Sequence, residues 1–113
     1  MRVLLIDDQR KPVYIKVTHG IDVTHTATSY AEGIQMLSQN EPFDLLCLDH
    51  DLSSYDETGR ELTGYDIMVF LEQNPCHMPK DIFFVTANPV GRINMQRVFD
   101  SIKNRMSQNG TSI

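Results

Sequence analysis

Three short apolar runs in this chain end abruptly in polar side chains. "VLLI" (3 to 6) stops at Asp7-Asp8, "FDLLCLD" (43 to 49) runs into Asp49-His50-Asp51, and "DIFFVTA" (81 to 87) delivers Thr86 and then Asn88. Continuous apolar runs of this length suit strands buried on both faces, as parallel sheets require. Such a sheet must be covered by helices on its faces. Its carboxyl edge then gathers the acids, an imidazole and a hydroxyl in one place.

The segments between the runs supply the covers. "IDVTHTAT" (21 to 28) is β-branched and alternating, and reads as a further strand. "SYAEGIQML" follows with Ser29 and Glu32 at capping-box spacing, and its helix should stop near Asn40-Glu41-Pro42. "TGYDIMVFLEQN" (63 to 74) reads as a helix with Ile67, Phe70 and Leu71 on one face. Asn88 as N-cap and Pro89 at the first helical position open the last helix, along which Gly91, Met95, Val98, Phe99, Ile102 and Met106 recur at helical spacing.

Two segments read differently. Over Gln9 to Gly20, Pro12 interrupts and "VYIKV" alternates loosely, so an extra strand or an extended loop is expected rather than a long helix. The polar stretch "LSSYDETGREL" (52 to 62) is expected as a loop at the mouth of the site. Strands alternating with helices imply one α/β domain with right-handed crossovers. We place it at 1–107, with a flexible tail at 108–113.

The 113 residues suffice for one core and not for two. No stretch approaches the roughly 20 apolar residues of a membrane span, and "MRVLLIDDQR" reaches acid too soon for a signal peptide, so no membrane role and a cytoplasmic location are expected. A net charge of −5 disfavours broad duplex nucleic-acid binding, though not contact with one nucleic-acid end. Cys47 and Cys76 follow neither disulfide nor zinc spacing, and Cys47 is expected to pack as a small hydrophobe. His19, His25 and His77 lack metal-ligand spacing and are expected in surface or structural roles.

In open parallel sheets, sites form beyond the carboxyl ends of the strands where strand order switches. Carboxylates from two strand ends repel unless a cation lies between them, and Mg²⁺ suits one or two carboxylates plus a phosphate. Thr86 offers a hydroxyl to a phosphoryl oxygen, the helix starting at Pro89 aims N–H groups at an anion, and Arg92 adds charge in its first turn. A free imidazole has its pKa near neutrality, so His50 is a candidate for moving protons. Asp49 and Asp51 would share one side if the strand continued, with His50 on the other. A plainer reading also exists, in which Asp8 and Asp51 cap turns and Asn88-Pro89 is an ordinary helix start.

"VLLIDD", "DLLCLD" and "FFVTA" resemble the receiver domains of response regulators. That resemblance implies Asp8 as a Mg²⁺ ligand supported by Asp7, Asp49 as a phosphoacceptor, and Thr86 touching the phosphoryl group. The fifth strand of a receiver, with its lysine, has no counterpart. A closer resemblance is to the cyclic-phosphate processing receiver-like family, through "IDDQR" (6 to 10), "LDHDL" (48 to 52), "TGYD" (63 to 66) and "NPVGRINM" (88 to 95). It implies a three-layer, flavodoxin-like α/β fold with a short parallel sheet. Family members usually carry His-Ser where this chain has Val85-Thr86, so either His50 alone moves protons or the activity is altered or lost.

The expected function is therefore a metal-dependent phosphoesterase acting on a cyclic or terminal phosphate, such as an RNA 2′,3′-cyclic phosphate end or a cyclic nucleotide. Asp7, Asp8 and Asp49 would hold Mg²⁺ or Mn²⁺. His50 would be the acid/base, and Asp51 would orient it or contact metal-bound water. Thr86, Asn88, Arg92 and Arg10 would hold the phosphate, and Thr63 and Gly64 would border the pocket. The alternatives are a non-catalytic module binding a partner protein or phosphorylated ligand and, behind it, a phosphoaccepting receiver.

Overall fold

The computed structural model describes residues 1–111, with side chains through Met106; the tail expected at 108–113 lies outside the described residues in its side chains and, at 112–113, in its backbone. In chain order the elements are β1 (Val3–Ile6), α1 (Pro12–His19), β2 (His25–Ala27), α2 (Tyr30–Gln39) and β3 (Leu45–Leu48). A hairpin follows, made of β4 (Ser54–Tyr55) and β5 (Glu61–Leu62), then α3 (Gly64–Gln73), a short 3₁₀ turn at Pro75–His77, β6 (Asp81–Phe84) and α4 (Pro89–Thr111).

The main sheet has the order β2-β1-β3-β6, with every neighbouring pair parallel. Leu5 pairs with Thr26 on one side and Cys47 on the other, and Cys47 pairs with Phe83, so the strand ends are level. Alternation along the strands feeds two cores. Leu4, Ile6, Leu46, Leu48, Ile82 and Phe84 join Leu37 of α2, Ile67, Met68 and Leu71 of α3, and Met95, Phe99 and Ile102 of α4. Val3, Leu5, Cys47 and Val85 meet Ile15 of α1 on the other face. The result is three layers, α1 over the sheet over α2, α3 and α4. No strand lies beyond β6 among the described residues, as the missing fifth strand predicts.

One element corrects the expectation. Residues Gln9 to Gly20 contain α1, not an extra strand or extended loop. Pro12 opens that helix, and Gly20 closes it in the left-handed conformation (φ 69°), donating its N–H to the Lys16 carbonyl at 2.9 Å. Only Ile15 of its eight residues is buried, while Val13 and Val17 are exposed, so no apolar stripe marks the helix. The segment expected as a plain loop also holds the small β4–β5 hairpin. Met106, expected on the apolar stripe of α4, is half exposed.

The histidines outside the site pack as expected. His19 edges onto Phe83 and His25 onto Phe43, and His77 stacks on Phe70. Cys47 is fully buried, and burial pushes its thiol up to about 11, which keeps it protonated and unreactive. No helix is long and apolar enough to cross a membrane among the described residues.

Candidate metal and phosphate site at the strand ends

The chain leaves β1 to one side and returns on the other as β3, so the switch point lies between these two central strands. Asp7 and Asp8 leave β1 there, and Asp49 leaves β3. One carboxylate oxygen from each of the three lies within 4.8 Å of the others.

Asp7 shapes the turn as well as contributing charge. Its Oδ1 accepts the backbone N–H groups of Gln9 and Arg10, both at 2.9 Å. Its Oδ2 accepts Nη1 of Arg10 at 3.1 Å, and that same nitrogen lies 3.5 Å from Oδ1 of Asp49. Arg10, expected to touch phosphate, thus bridges two of the three acids, with its guanidinium also over the Tyr14 ring. Asp49 is 5% exposed, and its Oδ1 accepts the His50 N–H at 2.8 Å. Burial, then the charge of Asp7, raises its carboxyl above the ordinary value, against the opposing effects of the His50 N–H, Arg10 and Thr86.

Asp8 is held by a residue that sequence reasoning missed. Ser53 donates Oγ–H to Asp8 Oδ2 at 2.7 Å across 45 positions of sequence. Ser53 adopts φ 50°, a left-handed conformation that non-glycine residues seldom take. A polar "LSS" after an acidic cluster carries no signal for such a contact.

Thr86 is buried, and its Oγ accepts the N–H of Asn88 at 3.0 Å. Asn88 caps α4 through Oδ1, which accepts the N–H of Gly91 at 3.0 Å. Asp8, Arg10, Asp49, Asp51, Ser53, Thr86 and Asn88, with Gln9 and Ala87, line a cleft of about 320 Å³. Arg92 is not among the lining residues; its guanidinium donates to the Thr86 carbonyl. Val85 packs in the α1-side core and lines neither this cleft nor its neighbour.

His50 does not line the cleft that Asp49 and Asp51 line. Its ring lines a neighbouring, larger cleft together with Thr63. Nδ1 lies 3.0 Å from Oδ1 of Asp51, and the ring rests on the first turn of α4, where a Cβ at Gly91 would come within 2.6 Å of Cγ and Cδ2. Gly64 seats α3 underneath: a Cβ there would lie 2.1 Å from the Asp49 carbonyl oxygen, and its N–H donates to the His50 carbonyl at 2.8 Å. Among the described residues, no buried side-chain polar atom lacks a partner.

Fold and site together define a receiver-like α/β protein whose acidic site lies at the switch point. A family model described as the cyclic-phosphate processing receiver domain matches residues 2–101, and the chain belongs to that family. Among solved structures it is similar to the signal receiver domain of a putative Luxo repressor protein from Vibrio parahaemolyticus. The TM-score is 0.52 at 15% identity, over 99% of this chain and 97% of that one, a likeness of fold. No significant match was found among curated proteins.

Proposed function

We propose that the protein is a metal-dependent phosphoesterase that opens a cyclic phosphate or removes a terminal one. The observation that carries this reading is the convergence of Asp7, Asp8 and Asp49 within 4.8 Å. The donor set suits a hard divalent cation: all three donors are carboxylate oxygens, two of the acids are buried, and burial, then the charge of Asp7, already raises Asp49. These three residues would hold Mg²⁺ or Mn²⁺, which when bound offsets phosphate charge and lowers the pKa of a bound water.

The remaining groups act on the substrate. Thr86 and the capped N-terminus of α4 bind phosphoryl oxygens. Arg10, which bridges Asp7 and Asp49, would turn to the phosphate if another cation neutralised them. In hydrolysis a water oxygen bonds to phosphorus and its proton passes to solvent, one ester bond to a sugar oxygen breaks, and that oxygen takes up a proton. His50 supplies it from Nε2, the nitrogen left over when Nδ1 is paired with Asp51.

The test is incubation with RNA ending in a 2′,3′-cyclic phosphate and with cyclic nucleotides, with and without Mg²⁺ or Mn²⁺. Turnover that needs the metal and vanishes in Asp49→Asn is expected. No turnover by folded protein sinks the enzyme. The second reading is then a non-catalytic module binding a phosphorylated ligand or a partner, favoured by Val85 standing in the core where a second histidine is usual. The third reading is a phosphoaccepting receiver, which labelling by acetyl phosphate that is lost in Asp49→Asn would support.

A further inference from the structure

His50 stands on the boundary between two clefts. Its neighbours Asp49 and Asp51 line the carboxylate cleft, while its ring lines one of about 590 Å³ walled by the β4–β5 hairpin, the start of α3 and the second and third turns of α4.

The chemistry of the larger cleft differs from that of the smaller. Arg60 and Arg97 are matched there by Glu61 and Asp66, so its formal charges cancel. Arg60 is already engaged, 3.3 Å from Asp66 and 3.5 Å from Asp56. Asp66 is committed to the start of α3 as well, accepting the Thr63 N–H at 2.8 Å. A bare anion gains little from such a balanced surface. A flat, uncharged, hydrogen-bonding group gains more: Tyr65 lines the cleft at 40% exposure as a stacking face, and the Asn94 carboxamide offers both a donor and an acceptor.

We infer that this cleft is the nucleoside subsite of the same centre, with the base on Tyr65, its edge read by Asn94, and the sugar crossing His50 towards the carboxylates. The inference rests on the phosphoesterase reading for the place of the phosphate, and it narrows the substrate to a nucleotide or RNA end. It also explains why His50 lines this second cleft, since the sugar oxygen that needs a proton lies on its side.

Binding separates this inference from the reading beneath it. Adenosine 3′-monophosphate, which has no cyclic ester to open, and inorganic phosphate would be titrated calorimetrically into the protein in Mn²⁺. The nucleotide should bind at least about tenfold tighter than phosphate, and Tyr65→Ala should erase about tenfold of its affinity while Tyr65→Phe keeps it. Inorganic phosphate should bind all three proteins alike. That pattern upholds the subsite even if no cyclic phosphate is turned over, in which case only the phosphoesterase falls. Equal binding of nucleotide and phosphate, or Tyr65→Ala and Asn94→Ala both binding nucleotide like the unaltered protein, overturns the subsite whatever the turnover.

Discussion

Gly91 and Asp49 show how single atoms set this site. A methyl group at Gly91 would meet the His50 ring at Cγ and Cδ2, close to the root of the side chain. Gly91→Ala must therefore displace the whole imidazole, and it should lower Tm. If the protein is the proposed phosphoesterase, kcat should also fall by about 10²-fold, with Mn²⁺ affinity nearly unchanged. Asp49 gives the opposite trade. Because its carboxyl is raised by burial and by Asp7, the native state holds on to a proton that the unfolded chain has released, so stability falls as pH rises through that window and stays lower above it. Asp49→Asn should stabilise the metal-free protein at pH 7 and raise its Tm, and the advantage should vanish in acid below the ordinary aspartate range. Melting both proteins across pH checks it; an unchanged difference between pH 7 and pH 3 would refute the assigned cause.

At the scale of elements, α1 and α3 are held by contrasting means. Only one side chain of α1, Ile15, is buried against the sheet, so Ile15→Ala should cost about 2–4 kcal/mol and raise amide exchange in α1 far more than in α3. By contrast α3 buries Ile67, Met68 and Leu71 and begins with a capping box between Thr63 and Asp66. This difference governed what could be read beforehand. Both α3 and α4 were legible because a repeating buried stripe and a cap leave a pattern in sequence. Nothing periodic marks a helix with one buried residue, and its two real signals, Pro12 and Gly20, also suit a loop. The β4–β5 hairpin was illegible for a related reason, since two-residue strands are too short to alternate.

For the whole molecule, the switch between β1 and β3 brings three acids to one point, and the proposed metal would relieve the repulsion among them. Saturating Mn²⁺, at about a hundredfold above its Kd, should add about 2.7 kcal/mol of stability, and Asp8→Asn and Asp49→Asn should each lose most of that gain. A Tm indifferent to Mn²⁺ in the unaltered protein would remove the metal from the proposal. The parallel sheet, its carboxyl-edge acids and the membership of Asp7, Asp8, Asp49, Thr86 and Asn88 in one neighbourhood were all determined by sequence alone, because burial on both strand faces and abrupt polar ends are local properties of the chain. Tertiary structure decided which way His50 turns, that Arg10 bridges Asp7 and Asp49, that Ser53 reaches Asp8, and that a second cleft opens beside the first. Each of those depends on contacts between elements far apart in sequence, where packing and close approach select one arrangement among several that the local chain permits equally.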